Sequence, residues 1–258
     1  MKKIIPLLLI LTVLLTAFSG CKKSEEVKQC EELISQLGDI TLDSLEAIEK
    51  AEKAYGMLSG EDKGDVKNFN KLTEARKEYN GLKSFSDAVN EFTTLIDRVF
   101  RDYSVTADAV CTAFDELNAK LEQAPKKSAD KYNSLYTPAK EKFDAYELSC
   151  QNVIPSAAVY VKCFLEEKGT DVTIDKVGCV AQLDGDTLYY IFALSYQENG
   201  EAKNVYATAR FTDTPSKESI LKYKDSFYAD KPLSGNLNAL ENANVRLDTA
   251  AVLEEASK

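Results

Sequence analysis

The chain has 258 residues and a formal net charge of −10, and it contains neither histidine nor tryptophan. Without histidine, Ser-His-Asp and Cys-His catalysis are excluded and the commonest transition-metal ligand is missing. The acidic balance argues against nucleic acid or anionic lipid as a bulk partner. We therefore predict no catalytic residue, no metal site and no cofactor.

The first residues carry the strongest signal in the chain. Two lysines precede an apolar run, Ile4–Leu15, and small residues lead to Gly20 and Cys21. This order is typical of a secretory signal, and the run is shorter than the roughly 20 apolar residues that span a membrane. A cysteine directly after Ser-Gly resembles the signal peptide of bacterial lipoproteins. The resemblance implies cleavage after residue 20, palmitate or a similar acyl group on Cys21, and an extracytoplasmic protein anchored to the cell membrane.

Residues 21–152 are predicted to form a helical domain. Ser24 can cap a first helix, and Asp43 or Ser44 a second. A long helix is expected from about residue 71 towards 101, another from about 105 to 123, and one from the Thr137 cap to about residue 150. Each helix is apolar on one side only, so the helices must pack into a bundle.

Part of this domain follows a recognisable pattern. Residues 33–79 resemble a helical repeat of Gram-positive bacterial cell-surface proteins, which implies a spacer or interaction element outside the cell. A degenerate second copy after residue 107 is an alternative to chance similarity of two amphipathic helices. The matching positions are Ile34, Leu37, Gly38, Ile40, Thr41, Leu42, Asp43, Ser44, Ile48, Ala51, Ala54, Tyr55, Leu58, Lys63, Val66, Asn68, Leu72, Ala75 and Tyr79.

Residues 153–258 are predicted to form a second, α+β domain. A helix over residues 156–168 precedes three strands, at 172–183, 187–197 and 203–212, with Asn199-Gly200 as a strong hairpin signal. A further helix is expected from about Thr214 to Tyr228 and a short one at the C-terminus. The fold class is therefore α+β: an N-terminal helical bundle, then a helix packed on a three-stranded antiparallel meander.

The remaining cysteines do not form a disulfide framework. Apart from Cys21 there are five, an odd number, and no two form a CxxC motif. Cys30 and Cys150 lie on apolar helical stripes, which is the usual place of a buried free thiol. One bridge, between Cys163 and Cys179, stays open as an alternative.

Few residues suggest chemistry. Ser128-x-x-Lys131 and Ser219-x-x-Lys222 match one element of penicillin-binding enzymes, but the companion motifs are absent. A ligand face for a peptide or glycan could form from Tyr189, Tyr206 and Arg210. The alternative is that this sheet face packs on a helix.

The sequence thus predicts a lipid-anchored surface protein with a non-enzymatic binding or presentation role. Its partners would be the membrane, through the anchor, and an extracellular protein or glycan, with no nucleic acid. The alternatives are a wall-modifying hydrolase that uses carboxylates or a Ser-Lys pair, and a small-ligand carrier. The predicted domains are the signal peptide, residues 1–20, the helical domain, 21–152, and the α+β domain, 153–258.

Overall fold

The computed structural model describes residues 24–169, 171–212, 228–233 and 237–258. Cys21, the leader and the predicted helix after Thr214 lie outside these residues. The described residues divide into two compact units, unit 1 up to Ser84 and unit 2 from Phe85 onwards, and the division falls inside a helix. None of the helices within the described ranges combines the length and the apolar character needed to span a membrane.

Unit 1 is helical. Its elements are α1 (Glu25–Gln36), a single 3-10 turn (Leu42–Ser44), α2 (Leu45–Met57), α3 (Gly60–Asp65) and the first part of α4 (Phe69–Ile96). Their inward residues form one core, which coincides with most positions of the repeat-like pattern. The core consists of Val27, Cys30, Ile34, Leu37, Ile40, Ile48, Ala51, Leu58, Val66, Leu72, Ala75 and Tyr79.

Side-chain caps hold the corners of unit 1. The Ser24 hydroxyl accepts a hydrogen bond from the Val27 N–H at 3.2 Å, as the sequence predicts for an N-cap. Ser44 stands at the N-cap of α2 but makes no side-chain cap bond there. Its hydroxyl instead accepts from the Thr41 N–H at 2.9 Å and closes a capping box on the 3-10 turn. Ser44 is therefore the N-cap residue of α2, as the sequence predicts, but it lacks the side-chain hydrogen bond that usually accompanies this position.

Unit 2 combines helices with a sheet. It contains the end of α4, then α5 (Ala107–Glu122), a 3-10 turn (Lys126–Ser128) and α6 (Ala129–Lys168), and it ends with α7 (Thr249–Ala256). The strands are β1 (Val172–Asp184), β2 (Thr187–Glu198), β3 (Glu201–Ala207), β4 (Phe211–Thr212) and β5 (Tyr228–Ala229). The sheet is antiparallel in the order β1-β2-β3-β5, and β4 pairs with β2.

The α+β class and the helix-on-meander arrangement are confirmed, with one change in the helix. The sequence predicts separate helices after Pro138 and after Pro155, whereas α6 runs through both prolines for 40 residues. A proline inside a helix costs about 3 kcal/mol because it removes a hydrogen bond and crowds the preceding turn. Burial outweighs this cost, because Ala139 and Val153 and their neighbours continue one buried stripe through both sites. The boundary predicted at 152/153 thus falls inside a continuous helix.

The two faces of the sheet are covered differently. On one face, rings of α6 contact rings of β2, with Tyr160 and Phe192 at 5.4 Å and Phe164 and Tyr196 at 4.9 Å between centroids. On the other face the chain segment 237–240 crosses β1 directly above Gly178. A Cβ atom at position 178 would lie 2.0 Å from the Ala239 carbonyl oxygen, so only glycine fits there.

The outer edge of β1 is covered as well. From Val177 to Leu183, every second residue points its backbone groups away from β2 and finds a partner in another segment. Val177 N–H donates to the Thr249 hydroxyl at 3.2 Å, and Leu183 N–H donates to the Phe100 carbonyl at 2.7 Å. Between them, the Cys179 carbonyl accepts from the Val245 N–H at 3.3 Å.

Asn244 occupies the middle of this edge and is 1% exposed. Its Oδ1 accepts from the Ala181 N–H at 2.7 Å, and its Nδ2 donates to the carbonyls of Ala181 at 2.7 Å and Val99 at 2.6 Å. Its own carbonyl accepts from the Tyr146 hydroxyl at 2.9 Å. Through its side-chain amide and its own carbonyl, Asn244 therefore joins β1, the segment that follows α4, and α6.

Candidate functional site

A cleft of about 540 Å³ opens in unit 2. One wall is α6, and the other is the segment that leads into α7. The volume lies within the range of small-molecule sites, which is roughly 300 to 1,000 Å³. The lining residues are Glu147, Cys150, Gln151 and Ile154 from α6, and Arg246, Leu247, Asp248 and Thr249 from the opposite wall.

Local structure fixes both walls. Asp248 is the N-cap of α7 and accepts from the Ala250 N–H at 2.9 Å, so its carboxylate serves the helix terminus. The Thr249 hydroxyl accepts from Val177 of β1. On the helix side, Cys150 lines the cleft and is 3% exposed. Its Sγ accepts from the Arg246 N–H at 3.3 Å, which ties the two walls together.

Arg246 is the cation of the cleft. Its guanidinium lies 3.6 Å from the Glu147 carboxylate and 3.8 Å from the Cys111 Sγ, and its side chain is 63% exposed. An exposed pair of this kind contributes at most about 1 kcal/mol to stability. Arg246 therefore lines the cleft with an exposed guanidinium whose ion pair with Glu147 is long and involves one guanidinium nitrogen.

The thiols of this region are poor nucleophiles. Burial raises the pKa of Cys150 above its usual value, and the Arg246 N–H offsets this only in part. Burial also raises the pKa of Cys111, again against the opposing effect of Arg246. Burial likewise raises the pKa of the Tyr146 hydroxyl. Because the thiolate is the reactive form, neither cysteine is activated at neutral pH.

The arrangement favours binding over covalent chemistry. The lining offers one cation, two carboxylates, amide and hydroxyl groups, and two aliphatic side chains. Such a lining can orient a small polar or zwitterionic group on an apolar floor. Within the described ranges, no three histidine, cysteine, aspartate or glutamate side chains are grouped so that they could hold a metal ion.

The three residues of the predicted ligand face differ in how far they are exposed. Tyr206 is 8% exposed and belongs to a core cluster with Val180 and Ile191, under Leu237 and Ala239. Tyr189 is half-buried on the same face of the sheet, and Arg210 is exposed after β3. The segment 237–240 therefore covers the part of the face that carries Tyr206, and ligand binding by the three residues stays a prediction.

Other predicted candidates are also located. Ser128 is 2% exposed at the start of α6, which places its hydroxyl out of a substrate's reach. The Ser219-Lys222 pair lies outside the described residues. Cys163 and Cys179 are free thiols, so the bridge left open by the sequence is not formed. All the other cysteines in the described ranges are free as well.

Comparisons of the chain with protein-family models, with curated proteins and with solved structures find no match.

The sequence does not predict the cleft. Glu147 and Cys150 show only as one end of an amphipathic stripe, and Arg246 follows a stretch that reads as loop. Local sequence patterns do not indicate that α6 contacts the segment around Arg246, because 96 residues separate Cys150 from Arg246.

Proposed function

We propose that the chain is a lipid-anchored extracytoplasmic protein with a non-enzymatic binding role, anchored through Cys21 and binding in the cleft of unit 2. The signal-like order of the residues before Cys21 supports anchoring, and α1 begins close behind that cysteine. Ser24 caps α1 only three residues after Cys21. An extended chain spans at most about 3.6 Å per residue, so Ser24 would lie within about 11 Å of the acylated residue.

This short connection has a consequence for presentation. With only residues 22–24 between Cys21 and α1, an acylated Cys21 would hold the start of the helical unit close to the bilayer. A spacer role for the helical part is what the repeat-like pattern of residues 33–79 implies. Removal of the leader would change the net charge to −12, because its charged residues are two lysines.

The support for binding rather than catalysis comes from the cleft. Its buried thiol carries a raised pKa and no histidine is available in the chain to deprotonate it. The hydrolase alternative would require a serine or carboxylate in an activated state, and burial of Ser128 does not favour it.

Metabolic labelling with palmitate tests the anchor. We expect the wild-type chain to be labelled and to fractionate with membranes, and Cys21→Ala to lose both properties. Cys111→Ala is the matched control, because Cys111 is the half-buried thiol among the otherwise buried cysteines of the described ranges. Labelling that persists in Cys21→Ala would contradict the anchor.

A photocrosslinker at Gln151 tests the cleft on living cells. Gln151 is exposed on its wall, and Lys140 lies eleven residues earlier on the same side of α6, about 16 Å away. We expect a saturable adduct at position 151 and none at position 140. Equal adducts at both positions would show that the cleft is not the binding site.

A further inference from the structure

The end of unit 1 that carries the N-terminus can be identified from its hydrogen bonds. Lys67 N–H donates to the Glu31 carboxylate, and the Lys71 ammonium donates to the Ser35 carbonyl, both at 2.9 Å. The segment 67–71 therefore runs parallel to α1, since both contacts move towards the C-terminus of each segment together. The preceding helix α3 therefore lies beside the first turns of α1, next to Ser24.

The C-terminus of α2 lies at this same end. Arg76 pairs with Glu52 while Phe69 stacks on Tyr55, so α2 and α4 run antiparallel. The last turn of α2 therefore meets the first turn of α4. Glu31, which contacts the residues just before α4, is only seven residues after Ser24, or about 10 Å along the helix.

Exposed apolar side chains gather here. Met57 is 73% exposed and Phe69 is 37% exposed. The Phe69 ring stacks on Tyr55 with 4.2 Å between centroids, and the Lys63 ammonium lies 5.7 Å from the centre of the Tyr55 ring. We call Tyr55, Met57 and Phe69 the apolar end of unit 1.

The chain that precedes the described residues indicates what covers this end. Residues 22–24 are the whole connection between Cys21 and α1. An acyl chain on Cys21 would hold the bilayer close to the N-terminus of α1, which lies at the same end of unit 1 as the exposed apolar side chains. The segment 53–69 carries three acidic and three basic residues, so it is electrically neutral despite the acidic chain. A neutral segment with exposed aromatic and thioether groups suits the interface of a bilayer.

We propose that the apolar end of unit 1 is a membrane-contact surface, with Met57 inserted among the lipids beside the acylated Cys21. The proposal rests on the proposed lipid anchor. It adds a second attachment point, so that unit 1 is oriented on the bilayer rather than tethered loosely. The overall negative charge leaves apolar insertion, rather than attraction to anionic lipid, as the source of the contact.

Because the chain contains no tryptophan, a single introduced tryptophan reports by its fluorescence on the surroundings of one position. In Met57→Trp the indole would be unique in the chain. The matched control is Glu46→Trp, which is exposed on the same side of α2 eleven residues earlier, about 16 Å away. The full acylated chain of each variant is placed in vesicles of brominated phosphatidylcholine, whose bromine quenches indoles that lie among the acyl chains.

We expect Met57→Trp to lose most of its emission and Glu46→Trp to keep it. Emission that survives at position 57 in a vesicle-bound protein would overturn the contact while leaving the anchor intact. A blue shift without quenching would mean that a protein surface covers Met57, and equal quenching at both positions would mean that α2 lies flat; either result refutes the proposal. If Cys21→Ala binds vesicles as well as the acylated chain, the anchor itself is wrong, and the inference falls with it.

Discussion

Substitution of Gly178 by alanine is the most demanding test of how unit 2 is packed. The new Cβ would lie 2.0 Å from the Ala239 carbonyl oxygen, whereas ordinary contact begins at 3.4 Å. The carbonyl must therefore retreat by about 1.4 Å, the difference between the two distances. Gly178 itself has no positive φ, so the expected effect is purely steric.

The crossing segment has little room to move. Ala239 is 0% and Leu237 is 4% exposed, and both pack in the core cluster above β1. The Asn238 carbonyl accepts from the N–H groups of Glu241 and Asn242, which fixes the turn that follows. Overpacking a core costs about 1–3 kcal/mol, and we expect the upper value because backbone rather than a side chain has to shift.

Urea unfolding followed by circular dichroism measures this cost. With a slope of about 2 kcal/mol per molar urea, a loss of about 3 kcal/mol lowers the midpoint by about 1.5 M. Gly56→Ala is the control: it lies in α2 with no atom within 4 Å of the new Cβ, and alanine favours a helix by up to about 1 kcal/mol. A midpoint for Gly178→Ala equal to that of the wild type would refute the close crossing of the chain above β1.

Two further predictions concern the cleft region. Asn244→Ala leaves the Ala181 N–H and C=O and the Val99 C=O without their amide partner, at about 1–3 kcal/mol per buried group, so we expect about 4 kcal/mol less stability in urea. A loss below about 1 kcal/mol would disprove its bridging role. In the folded Cys21→Ala protein, a disulfide reagent should modify the half-buried Cys111 alone. Its raised pKa makes the rate climb with pH, and Arg246→Gln should slow the reaction by raising the pKa further. Rapid modification of several thiols would contradict the burial of the other cysteines.

The sequence predicts most of the fold because periodicity reports burial directly. Val27, Cys30, Ile34 and Leu37 lie on one side of α1 at a 3-4-3 spacing, and all are buried. Strand alternation and the Asn199-Gly200 turn locate β1 and β2 to within one residue. The third strand is predicted to reach residue 212, whereas β3 ends at Ala207 and residues 211–212 form the separate strand β4, which pairs with β2. Hydrophobic periodicity is enough to predict a helix or a strand wherever the segment buries one face and exposes the other.

The predictions are wrong where packing between segments far apart in the sequence outweighs the local conformational preference of the residues. Thr137 and Pro138 have the features of a helix start, yet α6 passes through them because its buried stripe continues on both sides. The Thr137 hydroxyl bonds back to the Asn133 carbonyl at 2.8 Å instead of capping. The cleft could not be predicted, since it depends on the contact between α6 and a C-terminal segment without periodic pattern.

The covered edge of β1 has a consequence for the behaviour of the chain in concentrated solution. An edge strand with free N–H and C=O groups is a template on which another molecule can add a strand. The segment from Asn244 to Thr249, together with Phe100, occupies the outward backbone groups of four alternate residues, Val177, Cys179, Ala181 and Leu183. The C-terminal segment thus prevents the edge of β1 from pairing with a second molecule. Loss of this segment would turn β1 into a site for aggregation.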